Sequence, residues 1–485
     1  MKTQFISIVK ILGTTALLLL LSTSALWTQE KMPVTTSSKE ARQLFMEARE
    51  AYEMFKYERA TSLFEKALEL DPSFAMAHIY IAMNERRNTD LARMHLNEAL
   101  DRLSQISRGE KHRILYIQSF FESNEKSRKK HLQALLELYP KDERIQYLAG
   151  NYYYRNDQYE KAVQHLKKAT KLNEHYHPAF NMLGYNYMEL DEDEKANQYF
   201  QKYVKLLPEN AASNDSYAEF LLRQGRFEES IKYYKKALQT DPDFVYSYIG
   251  LGDNFLFKGK YDLARRHYRN AYKHSPNTGF KFNCLRLAAS VDVHRNKPYL
   301  ALKTLDEYIE LADKKNLAYD KIVGIANKGW ILTATGHTDE GLDYYHQAIK
   351  LIETEDMNKS RREYLRNLGQ LWEFYALSAS NKLEKAKSSR ERCKSKISMN
   401  SNINNRNMYY TICGLLEIKK GNYDEALESL SDAGNGPLNW YYTGLAWEKL
   451  GNQRKANKYY QKVAKHYNNS ILLSIVRNKA LANLE

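Results

Sequence analysis

His175 and His177 flank Tyr176 just ahead of Pro178, and two imidazoles that close could hold a metal ion. No thiol or carboxylate accompanies them at a suitable spacing, so the pair reads as a solvated turn between helices. Gly250-Leu-Gly252 starts like a dinucleotide loop, but Phe255 stands where the third glycine belongs. The chain carries no Gly-x-x-x-x-Gly-Lys-Ser/Thr phosphate loop, no His-Glu-x-x-His zinc helix and no Gly-x-Ser-x-Gly nucleophile turn. Cys284, Cys393 and Cys413 are widely separated and form no Cys-x-x-Cys pair. Cys393 and Cys413 either pair in an oxidising compartment or are small buried thiols; Cys413, directly ahead of Gly414, favours the second reading. The sequence thus predicts no metal, no cofactor and no catalysis.

What the residues do instead is repeat. Gly150, Gly184, Ala218 and Gly252 are each 34 positions apart, and Tyr153, Tyr187, Leu221 and Phe255 keep the same step. Ala162, Ala196, Ser230 and Ala264 follow in register, then Leu166, Phe200, Tyr234 and Tyr268, with Pro208, Pro242 and Pro276 closing three units. Within a unit, apolar side chains recur at three and four residues, as in Ala162, Leu166 and Ala169. That spacing lays a stripe along one helix face, and a lone hairpin cannot bury it. Neighbouring units must supply the missing surface.

A helix-turn-helix unit of this length, with a small residue where its helices cross, resembles the tetratricopeptide repeat family. The resemblance implies an all-α fold, an α-solenoid of about twelve repeats forming a superhelix. Clear units run from Glu143 to Pro276. Further units are marked by Ala48, Ala60, Phe64 and Ala67; by Gly329, Gly341 and Tyr345; and by Gly444, Trp447 and Tyr460, with degenerate ones ending at Pro140 and over 362–394.

In that family the first helix of each unit lines the inner, concave face. Carried onto this sequence, the partner-binding positions are Tyr147, Asn151 and Tyr154, then Asn181, Tyr185 and Met188, then Asp215 and Glu219, then Tyr246 and Asp253. Rings, amides and carboxylates in one groove suit other proteins or peptides. Family members that grip a C-terminal carboxylate use a lysine where Tyr147 stands and an asparagine where Met182 stands, so that mode is not expected. The implied function is a non-catalytic scaffold holding partners in the groove. Two alternatives are an envelope glycan-binding module and a membrane-tethered assembly factor.

Residues 1–25 are of another kind. Lys2 and Lys10 precede the apolar run Ile11 to Leu21, and Ser22 to Ala25 follow, the order of a secretory signal cleaved after Ala25. Export to the periplasm or medium is expected; the alternative is an uncleaved N-terminal anchor. Net charge is +14, a balance that suits an acidic partner, a membrane surface or an anionic glycan, and export argues against nucleic acid. The basic clusters Lys126 to Lys130 and Lys385 to Lys396 read as solvated faces. Ser37 and Glu40 carry the pattern of a helix start. The expected organisation is a tether over 26–37, an N-terminal array over 38–315, a C-terminal array over 316–470 and a helix over 471–485 that caps the exposed end. The Asn/Ser-rich stretch 398–405 reads as a loop.

Overall fold

The computed structural model describes residues 31–85, 89–380, 382–396 and 402–485. The expected signal segment, the start of the expected tether and part of the 398–405 stretch lie outside them. Among the described residues there are 25 helices and no strand. They form twelve hairpins and one final helix.

Hairpins 1 to 5 pair Lys39–Glu53 with Tyr57–Leu70, Ala75–Asn84 with Thr89–Leu100, Arg108–Phe121 with Glu125–Leu138, Glu143–Tyr154 with Tyr159–Leu172, and His177–Glu189 with Asp193–Leu206. Hairpin 6 pairs Ala211–Arg223 with Phe227–Thr240, and hairpin 7 Val245–Phe257 with Tyr261–Lys273. Hairpins 8 to 12 pair Thr278–His294 with Pro298–Lys314, Ala318–Ala334 with Thr338–Thr354, Lys359–Ala379 with Leu383–Lys396, Ile403–Lys420 with Tyr423–Ser431, and Pro437–Lys449 with Gln453–Ala464. The final helix is Ile471–Ala482.

The period has a direct steric cause. A methyl group on Gly150 would lie 2.5 Å from Leu166 of the facing helix, and one on Gly444 would lie 2.7 Å from Tyr460. A large side chain from the second helix therefore fills the space that the small crossing residue leaves. Phe200, Tyr268, Tyr345 and Tyr460 are aromatic fillers of this kind, all fully buried. Two of the tyrosine hydroxyls are bonded inside the fold. Tyr268 donates to Asp253 Oδ1 at 2.5 Å, and Tyr460 donates to Glu448 Oε2 at 2.7 Å. Each of these two rings is held by its own carboxylate.

The chain divides into two compact units, one ending at Ser216 and one beginning at Tyr217. The joint at 315 is an ordinary turn: Leu317 N donates to Ala312 O at 2.9 Å, and the helices on either side of it pack directly.

In the first unit the tether is not loose. Lys31 pairs with Glu143 at 3.0 Å, Met32 N donates to Asp142 Oδ2, Thr35 N and Oγ1 donate to Glu110, and Ser37 N donates to Asp71 Oδ2. An extended segment thus runs along carboxylates of hairpins 1, 3 and 4. The cap of the first helix is Ser38, one residue beyond the expected Ser37, because Ser37 is held by Asp71 while Ser38 accepts from Ala41 N. Hairpin 1 also meets hairpin 4 through Arg144, which donates to both oxygens of Glu53 at 2.8 and 3.2 Å.

In the second unit the final helix does more than cap. It packs on Gln453–Ala464, as a cap would, and also on the first helices of hairpins 8, 9 and 12. The linking segment threads the same side. Tyr467 sits 5.1 Å from the Phe227 ring and 5.3 Å from Phe257, and Asn469 donates to the Tyr268 hydroxyl while accepting from Ser290 Oγ. Farther on, Asn478 donates to His294 O at 2.7 Å.

Candidate functional site

The expected groove residues fall in both units and meet different fates. In the second unit the chain's own C-terminal segment takes up part of the first-helix face. Asp253 is buried, bonded to Tyr268, and covered through Tyr268 by Asn469. Burial pushes its carboxyl up to about 7, with the charge of Glu219 adding to the shift and the Tyr268 hydroxyl opposing it. Glu219 pairs with Arg223 at 2.8 Å, and Tyr246 is exposed beside Phe280, ring centres 5.2 Å apart.

A folded carboxyl that titrates above its unfolded value binds its proton more tightly in the native state. Stability then falls as pH rises from about 4 to about 7 and levels off above. Asp253→Asn, which keeps an acceptor for Tyr268, should remove this term. Its thermal midpoint should match the wild type near pH 4 and exceed it increasingly up to pH 7. A gap that instead narrows with rising pH would contradict the assignment.

Beside the final helix lies a cavity of about 1160 Å³, lined by Thr335, Ser380, Lys419, Tyr441, Tyr442 and Lys479 among others. Lys479 already donates to Ala334 O at 3.1 Å, and Lys382 at the same cavity pairs with Asp339.

In the first unit, Asn181 and Met188 are buried, and Tyr185 packs edge-on against Phe200 at 5.1 Å. Asp215 is half-buried and lies close enough to Tyr203 to raise its hydroxyl, an effect secondary to burial. Tyr147 is half-buried with its ring 5.7 Å from Tyr176. Burial, with Tyr52 and Glu53 next, pushes its hydroxyl well up. Tyr154 packs on Tyr159 at 5.6 Å. Asn151 lines a pocket of about 120 Å³ on the first-helix side of hairpins 1 to 4.

Its other walls are Tyr52, Met83, Arg113, Tyr116, Phe120, Tyr152 and Arg155 among others. Arg128 belongs here too, although the cluster 126–130 reads as solvated. Lys126, Lys129 and Lys130 are exposed, but Arg128 turns in over the rings of Phe120 and Tyr152 at 5.7 and 6.0 Å. Arg113 and Phe120 were missed by the groove assignment. They lie one period before Tyr147 and Tyr154, so the signal was available; the weak third repeat hid it.

The second basic cluster is also partly engaged: Arg390 bonds Glu417 at 2.8 Å and Arg392 bonds Glu373 at 3.1 Å. His177 differs from the expected solvated turn. It is buried against Tyr203, ring centres 6.1 Å apart, and burial together with Arg144 pulls its pKa down to about 4; His175 stays in solvent. All three cysteines are buried thiols, and burial pushes Cys393 up to about 12 and Cys413 to about 11. Among the described residues, no group of three or more His, Cys, Asp or Glu could hold a metal ion, and no helix is long and apolar enough to cross a membrane.

Sequence models of the tetratricopeptide repeat match residues 41–74, 143–176, 177–210, 214–244 and 439–470. Each match coincides with a stacked hairpin described above. The chain is a tetratricopeptide repeat protein. Arrays of this kind are protein-interaction modules, and typical members have no catalytic function. No curated protein matches the sequence. Among solved structures, MamA is 19% identical, with a TM-score of 0.30 over 35% of this chain and 95% of its own. The Pseudomonas aeruginosa pilF protein is 20% identical, with 0.33 over 43% and 94%. A tetratricopeptide repeat protein from Parabacteroides merdae is 15% identical, with 0.39 over 54% and 98%.

Proposed function

We propose that this tetratricopeptide protein is a non-catalytic scaffold of the cell envelope that holds a segment of a partner protein on the first-helix face of its first unit. The observation that carries the reading is the contrast between the units. The second unit fills much of its first-helix face with Tyr467, Asn469 and the final helix, while the first keeps an aromatic pocket with side chains directed into it. Rings such as Tyr52 and Phe120 offer contact area at little cost in conformational entropy, and the Asn151 amide can pair with a peptide backbone.

Envelope localisation rests on Lys2, Lys10 and the run Ile11 to Leu21 ahead of Ala25. N-terminal sequencing of the exported protein checks it: a start at Leu26 supports cleavage, and an intact Met1 supports the anchored alternative. The binding reading is tested by affinity capture from envelope extract with wild type beside a Phe120→Ala, Asn151→Ala double variant of unchanged helical content. Recovery of the specific partner should fall about tenfold or more, the scale of a lost central contact. Equal recovery by both forms would remove the pocket from the binding face.

A further inference from the structure

The pocket of the first unit carries positive charge that the fold does not balance. Arg113 is only 9% exposed; its Nη1 has no hydrogen-bond partner and its Nη2 reaches only Met83 Sδ, at 3.7 Å. Arg155 donates Nε to a neutral amide, Asn151 Oδ1, at 3.2 Å. Arg128 has a carboxylate, Glu125, but that same group also accepts from the Tyr152 hydroxyl. All three guanidinium groups act on Tyr116: burial raises its hydroxyl, and Arg113, Arg128 and Arg155 oppose that rise.

A guanidinium taken out of water without an anion is costly, and aromatic contact at 5.7 Å to Tyr116 replaces only part of its hydration. Five donors in a rigid planar fork match the two oxygens of a carboxylate. A volume of about 120 Å³ admits such a group, at a water's share of roughly 30 Å³ per oxygen-sized occupant.

We propose that this pocket is an oxyanion subsite in which Arg113 and Arg155 take the carboxylate of an acidic side chain on the bound segment. The proposal rests on the reading that the first unit holds a partner segment, and adds what that segment must carry. Tyr52, Phe120 and Phe121 cover the apolar residues beside the acid, while the carboxylate completes the hydrogen bonds that Arg113 lacks.

Titration of the full chain with succinate, followed by calorimetry and tyrosine fluorescence, tests it, with inorganic phosphate as the second arm. Succinate should bind in the millimolar range, and Arg113→Met and Arg155→Gln should each weaken it tenfold or more. In the absence of anion, Arg113→Met should unfold at the same temperature as wild type or higher, because an unpaired charge has been removed. No succinate binding by wild type, undiminished binding by both variants, or a lowered midpoint for Arg113→Met would overturn the proposal. Tighter binding of phosphate than of succinate would overturn the carboxylate assignment. Partner recovery that fails in the Phe120, Asn151 variant but survives Arg113→Met removes the subsite and leaves the binding face. Succinate binding without any partner recovery does the reverse.

Discussion

Truncation after Lys465 should cost the second unit on the order of 6 kcal/mol or more, and so abolish its cooperative unfolding. The removed segment contributes Ile471, Leu473, Ile475 and Val476, all buried, and each such side chain gives roughly 1.5–3 kcal/mol on burial. The hydrogen bonds of Asn469 to Tyr268 and Ser290, and of Asn478 to His294, would go as well. Leu473→Ala is the milder version and should cost about 2–5 kcal/mol. Both are read by thermal or urea unfolding followed by circular dichroism, with tyrosine fluorescence as a second probe. A truncated chain that unfolds with the wild-type midpoint would show that the final helix merely covers an end. A loss confined to hairpin 12 would show the same.

The second large effect is expected at a helix crossing. In hairpin 5 a methyl group on Gly184 would already lie 2.8 Å from three atoms of the fully buried Phe200 ring. Gly184→Trp must therefore push the His177–Glu189 helix away from Asp193–Leu206, at roughly 3 kcal/mol or more. The damage should stay local, since a repeat draws its stability from itself and its neighbours. Hydrogen exchange should show faster opening of hairpins 4 to 6 and unchanged protection from hairpin 8 onward. Uniform loss of protection along the whole chain would contradict stacking as the source of stability.

The hairpins were legible in the sequence because their packing is local. Gly150 with Leu166, and Gly444 with Tyr460, are pairs set by one repeat's own geometry, and each repeat restates them at the same step. Even the degenerate third and tenth units fold as hairpins, because their neighbours impose the stack. What periodicity cannot encode is a contact made once. Thr35 reaches Glu110, Lys31 reaches Glu143, and Asn469 reaches Ser290, each across several repeats and with no second instance to betray it. Asp253 shows the same limit in the second unit: it occupies an inner position by register, but it is bonded to Tyr268, whose hydroxyl is taken by Asn469 of the returning C-terminal segment.

The aromatic pocket of the first unit was half legible. Asn151 followed from the family's inner positions, whereas Arg113 and Phe120 needed the same rule applied to a weaker unit. Tyr147 obeyed the rule and is still tied to its own fold, because Arg144 and Glu53 bring hairpin 1 against hairpin 4. Register assigns a face; contacts made once, elsewhere in the chain, decide whether that face is free.

The most direct measurement places a photo-crosslinking residue at Arg155, which lines the pocket, and separately at Lys168, exposed on the second helix of the same hairpin. Irradiation of cells carrying each form should give a discrete partner adduct from position 155 and none from position 168. Adducts from 168 with none from 155 would contradict binding on the first-helix face.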